Sequence, residues 1–78
     1  MAFDQRELRA FLAVVDRGSL GRAAEAAFMT QPALSRLIGE MERRFGQPLF
    51  DRHSKGMAPT AAGETLISTY APQAAIVR

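Results

Sequence analysis

Apolar side chains at Leu8, Phe11, Leu12 and Val15 recur at the i, i+3, i+4, i+7 spacing that lines one face of a helix. Just ahead of them, Asp4 and Glu7 stand three apart as a capping box with Phe3 and Leu8 placed as its hydrophobic staple, and Gly18 follows as a terminator. The pattern predicts a helix over about residues 5–17. A second, shorter segment comes next. Ser19 is a cap residue, and the RAAEAA stretch at 22–27 combines high helix propensity with small side chains that let a neighbouring helix approach closely. Phe28 and Met29 interrupt the polar pattern, and Thr30 offers a further cap ahead of Gln31 and Pro32. A proline is tolerated there because first-turn amides have no acceptor within the helix. From that point Leu34, Leu37, Ile38, Met41 and Phe45 form an apolar stripe, while Gln31, Ser35, Gly39 and Arg43 line another face with Pro32 and Arg36 beside it. Gly46 ends this third helix and Pro48 blocks its simple continuation.

The segment PLFDRHSKGMAPT reads as two short strands around a polar Ser54–Lys55–Gly56 turn, a hairpin over about 49–58 that is too short to stand alone and must pack on the helices. Thr60 then caps a last helix on which Leu66, Ile67, Tyr70, Ala74 and Val77 return on one side, with a kink expected at Pro72. A domain this small leaves that stripe little core to cover, so the reading favours a dimer interface over burial within one subunit. The stripe is still running at Arg78, so the last helix is expected to be cut short there. No internal repeat, low-complexity tract or flexible linker divides these elements.

Seventy-eight residues make one domain with a small core and no staple. The absence of cysteine excludes disulfides, thiolate metal sites and cysteine nucleophiles, and the single histidine, His53, leaves no metal-binding cluster. Neither a cofactor nor a metal is expected. The start of the chain lacks the layout of a signal peptide and the apolar runs are short, so the expectation is a soluble, unexported, cytoplasmic protein with no membrane partner. A net charge of +2 does not by itself select a partner, but nine of the ten basic residues are arginines, whose planar guanidinium suits phosphate and base edges. The surplus lies in the middle: Arg36, Arg43, Arg44, Arg52 and Lys55 face only Glu40, Glu42 and Asp51 between 31 and 55.

Two helices joined by Phe28–Met29–Thr30, the second amphipathic with a polar N-terminal half, have the layout of a helix-turn-helix. Spacing alone leaves a plain helical bundle equally open. Two features favour DNA. The start of helix three carries an amide at Gln31, a hydroxyl at Ser35 and a guanidinium at Arg36, side chains suited to base edges, with Pro32 and Ala33 available to a thymine methyl. Downstream, Arg52 and Lys55 flank the hairpin, which then serves as a wing straddling the backbone.

Residues 8–64 resemble the N-terminal winged helix-turn-helix of LysR-type transcriptional regulators, through FLAVVDRGS, RAAE, TQPALSR, LFDR and PTAAGE in that family's order and spacing. The resemblance implies a mainly α fold with a three-helix core, a short two-stranded wing and a C-terminal linker or dimerisation helix. It divides the chain into a DNA-binding domain over 1–59 and the start of the linker helix over 60–78. It further implies a bacterial sequence-specific DNA-binding protein that dimerises through the helix after the wing, on a pseudo-palindromic operator, and that receives a small-molecule effector through a separate domain beyond this chain. Carried over residue by residue, it places Gln31, Pro32, Ser35 and Arg36 against bases or the adjoining backbone and Thr30 and Arg52 on phosphates. Lys55 is added from charge and position alone. The sequence departs from the family pattern at Ala27, where leucine is commoner, and at Phe28, where a small polar residue is more usual; both bear on the packing and angle of the turn. The wing glycine is present as Gly56.

Other charged and polar residues have plainer readings. Arg43 and Arg44 are expected to pair with Glu40 or other nearby acids. Arg22, just after the Ser19 cap, is divided between phosphate and a pairing with Glu25 or another acid. His53 and Ser54 lack the ordered third partner of a catalytic triad and read as wing-surface residues, so no catalysis is expected. A helical module that binds another protein is the rival from a different class, with an enzyme a distant third.

Overall fold

In a computed structural model, which describes residues 3–53 and 55–70, four helices and one hairpin follow in the order α1 (Gln5–Arg17), α2 (Leu20–Ala27), α3 (Gln31–Phe45), β1 (Phe50–His53), β2 (Gly56–Pro59) and α4 (Ala61–Tyr70). Local signals set the helix ends. The Asp4 carboxylate accepts the Glu7 amide at 2.8 Å while Glu7 accepts the Asp4 amide at 3.0 Å, completing the capping box of α1. Gly18 and Gly46 close α1 and α3 in the left-handed conformation, at φ 74° and 88°. Ser19 caps α2 by accepting the Arg22 amide at 3.3 Å.

One core joins all the elements. Phe11 and Val14 from α1, Ala23 and Ala24 from α2, Leu34, Ile38 and Met41 from α3, Leu49, Phe50 and Met57 around the hairpin, and Leu66 and Ile67 from α4 are all buried. The buried face of α1 is turned from the expected one: Ala10 and Val14 are buried with Phe11, while Leu8, Leu12 and Val15 are only partly covered. Phe3 is buried too, stacked on Phe45 with ring centroids 6.5 Å apart, so it ties the start of α1 to the end of α3.

Strands β1 and β2 pair antiparallel, Phe50 with Pro59 through His53 with Gly56. Gly56, expected within the turn, is therefore the first paired residue of β2. Its backbone, at φ 134°, lies against the end of α1, and the next amide, that of Met57, donates to the Gly18 carbonyl at 2.8 Å. The Glu42 carboxylate of α3 accepts the amides of Leu49 at 2.8 Å and Phe50 at 3.4 Å, which pins the entrance to β1.

The last helix overturns one expectation. Leu66 and Ile67, placed in an intersubunit stripe on the ground that the core needed no more cover, are 2% and 0% exposed within the subunit itself. Thr60 explains the placement: its amide donates to the Leu49 carbonyl at 3.0 Å, its hydroxyl donates to Pro48 at 2.7 Å, and the same oxygen accepts the Gly63 amide at 3.1 Å. Gly63 lacks the Cβ that would come within 2.3 Å of the Leu49 oxygen, so α4 settles directly onto the chain entering the wing. The Tyr70 side chain, Ala74, Val77 and the kink expected at Pro72 lie outside the described residues.

Candidate nucleic-acid interface

Helix α3 starts where Thr30, in an extended conformation, accepts the Ala33 amide through its hydroxyl at 3.2 Å. That bond occupies an acceptor position and leaves the O–H free to donate to a phosphate oxygen. Because Leu34, Ile38 and Met41 are fully buried, the rotation of the helix is set, and Gln31, Pro32 and Arg36 are exposed while Ser35 is half-buried. Gly39 continues the outer line one turn further, with open space where a Cβ would stand. The four residues expected at bases are thus brought together at the N-terminal end of one accessible face. Among the described residues, no ion pair engages Arg36, Arg52 or Lys55.

The wing residues are placed separately. Arg52 lies in β1 and Lys55 at the tip, both exposed, on a hairpin that docks on α1 and α4. The Lys55 amide donates to His53 Nδ1 at 3.3 Å, which gives the histidine a place in the hairpin bend. Arg43 bonds to Glu40 at 2.7 Å, and Arg44 pairs with Glu7 while its guanidinium lies 5.0 Å over the Phe3 ring. Both arginines therefore serve contacts within the subunit, Arg43 at the helical spacing expected of it and Arg44 across to α1, 37 residues away in the chain.

A further electrostatic feature was not anticipated. Helices α2 and α3 both lack an acidic residue in the first turn, whereas Glu7 stands in the first turn of α1. The partial positive charge of those two N-termini is left unneutralised by their own side chains, a condition that suits an anion such as phosphate. Arg22 adds a full charge in the first turn of α2, and no ion pair with Glu25 is present among the described residues. The signal lay in the sequence all along, in the acid-free intervals from Arg17 to Ala24 and from Ala26 to Gly39.

The turn itself is unusual. Phe28 adopts φ 57°, ψ 46°, the Met29 amide donates to Ala24 at 2.9 Å and the Phe28 amide to Glu25 at 3.2 Å, the paired bonds that end a helix on a left-handed residue. Phe28 is 96% exposed, so its ring recovers none of the strain by packing.

A short helix, a tight turn, a second helix with a polar outer face and a hairpin docked on the first helix together define a winged helix-turn-helix. Residues 5–64 match the model of the bacterial regulatory helix-turn-helix proteins of the lysR family, and the chain belongs to that family. It is 46% identical over 61 residues to the HTH-type transcriptional regulator GalR of Pseudomonas putida, covering 78% of this chain and 15% of that protein. It is 40% identical over 72 residues to the small neutral protease regulatory protein of Streptomyces coelicolor, covering 92% of this chain and 22% of the relative. The chain thus spans roughly a fifth of the length of such relatives. Among solved structures, the BenM DNA-binding domain in complex with catB site 1 DNA superposes with a TM-score of 0.83 at 32% identity, over 96% of this chain and 84% of that one. The CbnR DNA-binding domain in complex with DNA gives 0.81 at 28% identity, over 96% and 82%. The chain is therefore a LysR-family helix-turn-helix DNA-binding domain.

Proposed function

We propose that this domain binds double-stranded DNA with sequence selectivity, α3 lying in the major groove and the wing resting on the flanking backbone. Gln31, Pro32, Ser35 and Arg36 meet base edges and the adjoining strand, while Thr30, Arg52 and Lys55 hold phosphates and set the register. The observation that carries this reading is the accessible polar end of α3, held outward by the burial of Leu34, Ile38 and Met41 on its other side. The likeness to BenM and CbnR domains bound to DNA supports the docking mode. Arg22 and the acid-free start of α2 supply a further phosphate contact.

In the whole regulator, two copies bind a pseudo-palindromic operator, with pairing by residues after Ile67 that include Tyr70, Ala74 and Val77. A small-molecule effector acts through a domain outside this chain. The protein is cytoplasmic and not an enzyme; no helix among the described residues is long and apolar enough to cross a membrane.

A titration of fluorescent duplex at two salt concentrations tests the binding itself. With Arg52 and Lys55 each neutralising a phosphate, the logarithm of affinity falls against the logarithm of salt with a slope of about −2 or steeper for each subunit. Affinity that is absent, or indifferent to salt, removes the proposal.

A further inference from the structure

Helix α2 contains a glycine that its own fold does not require. Gly21 lies in the first turn of α2 and is not among the residues with positive φ, so its backbone conformation is open to any L-residue. Glycine is a poorer helix former than alanine. The position is explained by what an added methyl would meet. A Cβ on Gly21 would stand 2.9 Å from the terminal amide nitrogen of Gln31, the first residue of α3, and would meet no other atom within 4 Å beyond its chain neighbours and the backbone of its own helix.

We infer that Gly21 is a specificity-determining position that acts through Gln31. The missing side chain leaves room for the Gln31 amide beside the first turn of α2, so a second helix bounds the space open to the hydrogen-bonding end of the reading side chain. Resting the amide there limits its rotamers before DNA arrives, and a side chain already restricted loses less freedom on binding. An alanine at position 21 drives the amide from 2.9 Å out to at least the 3.4 Å of an ordinary contact, or into another rotamer. The group displaced is the flexible tip of a surface side chain, so the fold tolerates the change. The displaced atoms are nevertheless those that address a base, whose recognition depends on bidentate geometry.

The inference rests on the reading of α3 as the base-reading helix, and the test separates the two. Bound sequences are selected from a random duplex pool with the parent chain, Gly21→Ala, Gln31→Ala and the double variant, and the Tm of each protein is measured. Gly21→Ala is expected to keep or raise Tm, to lower discrimination about tenfold at the base pair that Gln31→Ala relaxes, and to leave the other positions alone. The double variant is expected to match Gln31→Ala in its sequence preference.

Unchanged preference in Gly21→Ala, beside a relaxed preference in Gln31→Ala, overturns the role of Gly21 and leaves base reading by Gln31 intact. A further loss of preference on adding Gly21→Ala to Gln31→Ala shows that Gly21 acts on DNA by another route, and also overturns it. So does a fall in Tm that persists in the double variant, since the methyl then meets more than the amide. If Gln31→Ala alters no position, base reading by Gln31 fails first and the inference falls with it.

Discussion

The amide of Met57 in the wing donates to the carbonyl of Gly18 at the end of α1, at 2.8 Å. This bond brings the start of β2 so close to α1 that a Cβ on Gly56 would stand 2.2 Å from the same oxygen. Two glycines, at 18 and 56, thus make one joint between the helical core and the wing. Gly56→Ala meets both this oxygen and a backbone conformation, φ 134°, that side chains rarely adopt. The backbone term alone destabilises by about 1–3 kcal/mol. Urea denaturation is expected to show at least that loss; an unchanged midpoint means that the wing does not rest on α1.

Glu42 is the second link between helix and wing, since its carboxylate accepts the Leu49 and Phe50 amides. Glu42→Ala leaves those donors without this acceptor, at a cost of about 1–3 kcal/mol. Glu42→Gln keeps an acceptor oxygen without the charge and is expected to fall between alanine and the parent. Equal stability of all three proteins in denaturant would show that water replaces the carboxylate without penalty.

Phe28 carries strain that nothing around it repays, being left-handed and almost fully exposed. Glycine accepts this conformation freely, so Phe28→Gly is expected to raise stability by about 1 kcal/mol. The check is a thermal melt in the absence of DNA. A lower Tm would mean that the phenyl ring finds packing in solution.

These sites also show where the sequence stops informing. Asp4, Ser19, Thr30 with Pro32, Gly18 and Gly46 act within a few residues of themselves, so both ends of α1 and α3 and the start of α2 could be read from their neighbours, whereas the left-handed end of α2 at Phe28 could not. The outward set of Gln31, Ser35 and Arg36 followed from the apolar period of α3 in the same way. Tertiary contacts carry no such period. Nothing near Glu42 in the chain announces the amides of residues 49 and 50 that the fold brings to it, and Leu66 and Ile67 were assigned to a partner because so small a domain left them little core to cover, the backbone approach of Gly63 to Leu49 having no local signature. Val14 took the inner place expected of Val15 because the face of α1 turned to the core is set by where α2, α3 and β2 pack on it, which the apolar period of α1 alone does not fix.

Position-specific and position-independent contacts separate by salt. Arg52, exposed on β1, is assigned to a phosphate, and Arg52→Ala is expected to weaken selected and scrambled duplexes alike while reducing the salt slope by about one. A slope equal to that of the parent would detach Arg52 from the backbone.

The central claim is that the exposed start of α3 senses base identity. It is tested most directly by measuring the affinities of Gln31→Ala and Arg36→Ala for a selected duplex and for a scrambled duplex of the same length, at fixed salt. The expected result is a loss of about 1–3 kcal/mol on the selected duplex with little change on the scrambled one. Equal losses on the two duplexes, or none on either, would contradict it.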